Sequence, residues 1–223
     1  MLSKLLHSIS RTSSSELLDF VLKWTKRFGS KDEAATRKTV PVLLKLVGKE
    51  SSETIIECLG FLGPEKILAS TLTVEGTVNA SLDAISNGKN EAKALNMLSL
   101  VCDRDNLVKY LLSKDDWIET LVNADSKTKD SKDVLKIFDV ISKKEKSALL
   151  SERVLSIVTR SLSSQDVALD IIQRLASSME MRKDLIKMCP SLNSLLTNLM
   201  KEDVARSNVI LNTLRRLVTY VFI

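Results

Sequence analysis

The chain has 223 residues, with 33 Lys+Arg against 28 Asp+Glu for a formal net charge of +5, hydrophobic residues at 44% and aromatic residues at 4%. It holds Gly 6 and Pro 3, where average usage would supply about 15 and about 11, too few turn formers for the many reversals of a β-sandwich or barrel. The balance of apolar and charged residues excludes a disordered or collagenous chain, and the longest apolar run, Leu217–Ile223, falls far short of the roughly 18 residues of a bilayer span.

Taken in chain order, residues Leu2–Ser10 place Leu2, Leu5, Leu6 and Ile9 on one helical face, with no acid before Glu16. We read this as a core-facing helix, with a mitochondrial presequence as the alternative, because such leaders are also amphipathic, Ser-rich, basic and acid-poor. Ser13-Ser-Ser-Glu16 fits a capping box for a helix that runs to about Phe28-Gly29. Ile55, Ile56, Leu59, Phe61 and Leu62 recur at helical spacing, and Gly63-Pro64 ends that helix and opens the next. Asn87-Gly88 precedes Asn90 as an N-cap for a helix carrying Leu95, Leu98 and Val101; a polar break over Cys102–Asn106 follows, then a short helix Leu107–Leu112 and a helix beginning at Trp117. The stretch Ala124–Asp133 is expected to be a solvated loop, with a phosphorylatable or partner-contacting insertion as its alternative. Val134, Leu135, Ile137, Phe138 and Ile141 make a further amphipathic helix, Lys143–Lys146 a charged helix start, and Leu169, Ile171, Ile172 and Leu175 another helix. Pro190 precedes a helix from Ser191, and a long helix is expected over Asp203–Tyr220. The fold class is therefore all-α.

The helices repeat. When the strongest apolar segments are superposed, their centres fall at Val21, Leu59, Leu98, Phe138, Ile172 and Leu214, at spacings of 38, 39, 40, 34 and 42 residues. A period near 40 residues is that of a helical repeat whose units cannot bury their apolar faces alone and stack on their neighbours. Each unit reads short helix, middle helix, long helix, and one domain over 1–223 divides into units of approximately 1–29, 30–63, 64–102, 103–142, 143–178 and 179–223.

Three segments resemble the armadillo family. Val40-Pro-Val-Leu-Leu-Lys-Leu-Val47 is similar to its middle helix and Ala92-Lys-Ala-Leu-Asn-Met-Leu-Ser-Leu-Val101 to its third; Met188-Cys-Pro-Ser-Leu-Asn-Ser-Leu-Leu196 repeats the Pro-x-Leu-x-x-Leu-Leu theme. The glycine that family members carry before the middle helix is missing, and the related HEAT repeat stays open. The resemblance implies a right-handed α-solenoid whose long helices line a concave groove for extended peptides. In that family two positions four residues apart on each long helix are often Trp and Asn. Here the first position reads Asp19, Glu57, Asn96, Lys136, Asp170 and Asn212, and the second Lys23, Phe61, Leu100, Val140, Arg174 and Arg216. The Trp–Asn ladder that reads basic import signals is absent. Phe61, Leu100 and Val140 offer apolar rungs, or else core, and Arg174, Arg215 and Arg216 a basic end, or else a solvated face.

Chemistry finds little purchase. Glycine occurs singly, without a phosphate-binding pattern; His7 is the only histidine, and Cys58, Cys102 and Cys189 are far apart, which suits buried small hydrophobes better than a metal site or a disulfide. Trp24 and Trp117 are expected to pack between units. Residues 1–50 carry the whole excess charge, with 10 basic and 5 acidic side chains, but so few aromatics disfavour nucleic acid as a partner. The expectation is a non-enzymatic scaffold or adaptor, without cofactor, metal or small-molecule substrate, that binds another protein: a peptide or helix with an apolar stretch and an acidic end. Its rivals are an armadillo-type chaperone or co-chaperone, directed to myosin or acting as an exchange factor for heat-shock proteins, and an organellar adaptor carrying the presequence. The expected location is the cytoplasm, with the nucleus and the mitochondrion as alternatives. The apolar end Val218–Ile223 is exposed in this reading unless it folds back, pairs in a homodimer or is followed by further residues.

Overall fold

A computed structural model describes residues 15–28, 43, 54, 57–58, 61, 74–88, 91–102, 105–127 and 131–218. The helices expected over Leu2–Ser10 and, apart from Leu43, over Val40–Val47 lie outside these residues, as do Leu59, Gly63-Pro64, Asn90 and the end beyond Val218. The described elements are all helical: α1 Ser15–Phe28, α2 Val74–Ser86, α3 Glu91–Val101, α4 Asp105–Leu112, α5 Trp117–Lys127, α6 Lys132–Lys144, a 3₁₀ segment Lys146–Leu149, α7 Glu152–Arg160, α8 Asp166–Leu175, α9 Met179–Met188, α10 Leu192–Glu202 and α11 Ser207–Val218. The chain divides into two compact units, Met1–Ala124 and Asp125–Ile223.

In the first unit α2 is the core helix. Its small residues Thr77, Ala80, Ser81 and Ala84 are buried together with Val78, Leu82 and Ile85, so apolar surface covers most of its circumference and both α3 and α4 pack on it. The α4 contact carries a polar pair: the Asn79 amide donates to the Tyr110 hydroxyl at 3.0 Å, and that hydroxyl lies 3.2 Å from Asn79 Oδ1. α2 ends at Gly88, whose φ of 69° lies in the left-handed region and whose N–H reaches Ile85 O at 3.0 Å. A residue with a Cβ would pay for that conformation, and glycine is the usual solution after a helix.

In the second unit α8 is the hub, packed against α6, α7, α9, α11 and the 3₁₀ segment. Its buried residues Ala168, Leu169, Ile171, Ile172 and Leu175 meet the apolar stripe of α6, where Phe138 is 0% exposed. The start of α7 is held by Ser151, whose hydroxyl accepts the Val154 N–H at 3.3 Å. Arg206 ties the turn before α11 to the turn after α7: its guanidinium donates to Leu162 O at 3.0 Å and Ser163 O at 3.2 Å, and it pairs with Asp166 at 3.2 Å and with Asp203.

Four local expectations need correction. The solvated loop expected over Ala124–Asp133 is helix at both ends: α5 continues to Lys127, Ala124 and Asp125 are buried, and α6 starts at Lys132, while residues 128–130 lie outside the described ones. Asp125 tolerates burial because its carboxylate takes the Arg160 guanidinium, a pairing of residues 35 apart that no local pattern displays. Lys143 and Lys144 end α6 instead of starting a helix, which suits cations at the negative end of the helix dipole. The last long helix starts at Ser207 and not at Asp203, since Asp203 Oδ1 accepts the Arg206 backbone N–H at 3.1 Å and turns the chain there. Its buried centre is Thr213, 0% exposed, with Leu214 only half-buried; the Thr213 hydroxyl donates to Val209 O at 2.9 Å and so enters the core satisfied.

Candidate functional site

The ladder residues can now be placed. In the first unit Asp19, Lys23, Phe61 and Asn96 are exposed, and Glu57 and Leu100 are half-buried. In the second unit Lys136, Asp170, Asn212, Arg215 and Arg216 are exposed, and Val140 and Arg174 are half-buried. None of them is core. The reason is helical geometry: centres such as Val21, Leu98, Phe138 and Ile172 are all 0% exposed, and residues two places to either side of a buried centre are rotated by about 200°.

In the first unit the site is organised around Phe61, which is 38% exposed. Lys26 of α1 and Lys93 of α3 each place an ammonium 5.5 Å from the ring centroid. Both also reach Glu57 Oε1, at 3.0 Å and 3.8 Å. One carboxylate is thus shared by two half-exposed cations, so one positive charge remains beside an accessible aromatic ring. Each such contact is worth on the order of 0.5 kcal/mol where water screens it, so the cluster adds little to the stability of the fold. Sequence reasoning chose Glu57 and Phe61 and missed the lysines; Lys26 and Lys93 lie three residues after Lys23 and three before Asn96, the helical neighbour spacing that could have found them.

In the second unit the ladder is less available than expected. Arg174 Nη1 lies 2.5 Å from Asp139 Oδ1 and 2.8 Å from Ser142 Oγ, so it joins α8 to α6. Asp139 Oδ2 also takes Lys143 at 2.7 Å, and Lys136 is occupied by Asp133 at 2.9 Å. Arg174 is therefore an internal tie between long helices. The missed residue is Asp139, between Phe138 and Val140, whose role appears only when α6 and α8 pack. The shift of the last helix onto Thr213 places Leu211, 36% exposed, and Arg215 at the ladder positions beside Asn212 and Arg216.

A concavity of about 340 Å³ lies elsewhere in the second unit, lined by Thr159 and Arg160 of α7, by Leu162 after it, and by Leu195, Leu199 and Glu202 of α10. For covalent chemistry the thiols are poorly placed: burial pushes Cys58 up to about 12, offset only in part by its hydrogen bond with Thr25. Cys102 is buried, Cys189 half-buried and Trp117 5% exposed, while Trp24 keeps a half-buried ring. Among the described residues no three His, Cys, Asp or Glu side chains assemble to hold a metal ion, and no helix is long and apolar enough to cross a membrane. No protein-family model, curated protein or solved structure matches the chain.

Proposed function

We propose that the chain is a non-enzymatic protein-interaction module of armadillo-like helical repeats, which presents the outer positions of its long helices to a peptide or helix of another protein. The observation that carries this reading is that all the ladder positions on these helices avoid burial while long helices contact one another directly, α8 with α6 and α8 with α11 in the second unit. Within a unit, adjacent helices with accessible outer positions offer the kind of surface that a solenoid uses to bind. The apolar contacts offered are Phe61 and Leu100 in the first unit and Val140 and Leu211 in the second. With Arg174 engaged by Asp139, the basic contacts are Lys26 and Lys93 at Phe61 and Arg216 on α11.

A photo-crosslinking side chain placed singly at Leu100, Val140 or Asn212 of the full chain in its own cells tests this, with Leu195 of α10 as the off-face control. Crosslinks to one partner from the ladder positions, and none from the control, are expected. Equal crosslinking from Leu195 would remove the assignment of the long-helix face.

A further inference from the structure

Several cations in the second unit are matched with carboxylates: Arg160 with Asp125, Arg174 with Asp139, Arg206 with Asp166 and Asp203, Lys136 with Asp133, Lys143 with Asp139. Two that converge on a single serine are not. Ser177 is exposed in the turn joining α8 to α9. Its hydroxyl donates to Arg174 O at 2.6 Å and accepts from Lys146 Nζ at 3.1 Å. Arg182 of α9 comes from the other side, with Nη2 3.5 Å from Ser177 O and Nη1 donating to Arg216 O at 3.1 Å. Its Nε is buried without a partner. Among the described residues neither Lys146 nor Arg182 has a carboxylate within pairing distance, so two full charges face only a hydroxyl and carbonyl oxygens.

We propose that Ser177 is a phosphoacceptor and that Lys146 and Arg182 receive its phosphoryl group. A protein kinase would supply the group from a nucleoside triphosphate: the Ser177 Oγ–phosphorus bond forms, the bond to the leaving diphosphate breaks, and the hydroxyl proton passes to a base of the kinase or to water. A phosphoserine carries about −1.5 to −2 charges at neutral pH, which balances the two cations, and its oxygens accept the charged donors that the neutral hydroxyl cannot satisfy. Loss of the hydroxyl donor leaves no orphan, because Arg174 O still accepts the Ser177 backbone N–H at 3.1 Å. The modified residue would link the 3₁₀ segment through Lys146, α9 through Arg182, and the end of α11 through the Arg182 bond to Arg216 O. Phosphorylation thereby stiffens the junction between the last two helix triplets, a device independent of which partner the long-helix face takes.

The test is the full chain with phosphoserine encoded at position 177, followed by phosphorus NMR against pH and by thermal unfolding. The expected results are a phosphate pKa about one unit below its ordinary value near 6 and a Tm higher by about 2–4 °C. Both effects should vanish in the Lys146→Ala, Arg182→Ala background. An ordinary phosphate pKa with unchanged Tm, or an equal response in that double-alanine background, would overturn the assignment. So would the same rise in Tm when millimolar inorganic phosphate is added to the unmodified chain, which would make this a free-anion site, or phosphate mapping that finds Ser177 unmodified in cells whose phosphatases are blocked.

Discussion

The tie between Arg174 and Asp139 decides whether this arginine is available to the proposed binding face or joins α8 to α6, and its strength follows from its burial. The two side chains are 30% and 19% exposed, between the regime of exposed pairs at about 0.2–1 kcal/mol and that of buried pairs whose breakage costs about 3–5 kcal/mol. Arg174→Ala also removes the bond to Ser142 Oγ at 2.8 Å, but that hydroxyl keeps its own bond to Asp139 O at 2.7 Å and is not orphaned. Together these give a loss of about 1.5–2 kcal/mol for Arg174→Ala, or a fall in Tm of roughly 3–8 °C for a chain of this size. Asp139→Ala should cost a similar amount, and the double variant should cost less than the sum by about 1 kcal/mol. Urea unfolding followed by circular dichroism, repeated at high salt, reads all three. A coupling indistinguishable from zero, with Arg174→Ala as stable as the parent, would refute the internal tie and return Arg174 to the proposed binding face.

Arg206→Ala, which removes the bonds to Leu162 O and Ser163 O as well as both ion pairs, is expected to destabilise the second unit by about 2 kcal/mol; urea titration checks this, and Arg206→Lys should recover only part of it because an ammonium cannot fork to several oxygens. Hydrogen bonds from Arg206 hold the Asp203 carboxyl below its ordinary 3.8. A folded value below the unfolded one means that this stabilisation is present above pH 4 or so and is lost as pH falls through the folded value, which Asp203→Asn should flatten in acid titrations of stability. Phe138→Ala, at a site 0% exposed, should cost about 3–5 kcal/mol by the same unfolding assay. Because the Cys58 thiol is raised from 9.0 to about 12, its contribution is present below pH 9 and is lost as pH rises toward 12; at pH near 8 an alkylating reagent, followed by mass spectrometry, should label Cys189 well before Cys58.

Much of the fold was legible because helical periodicity is a local property. The helix beginning at Trp117 and the apolar centres Val21, Leu98, Phe138 and Ile172 stand where spacing places them, since a residue's face on a helix follows from its number alone. Three of the misreadings have one cause. Asp125 looked like loop, Asp203 like helix, and Thr213 less core-like than Leu214, because a polar side chain can be buried or can break a helix depending on the partner it finds. Those partners are Arg160, the Arg206 N–H and Val209 O.

The same division holds for the candidate site. The sequence by itself determined the outer positions of the helices centred on Val21, Leu98, Phe138 and Ile172, while the last helix took its register from the buried Thr213 and brought Leu211 to an outer position. Only tertiary structure decided which charges remain available there. Asp139 consumes Arg174, while Lys26 and Lys93 share one Glu57 carboxylate and leave a cation beside Phe61. Lys146 and Arg182, unremarkable in the sequence, converge on Ser177. The physical reason is range: hydrophobic periodicity needs only neighbours within a helical turn, whereas the balance of charge at a point depends on residues that meet only when the helices pack.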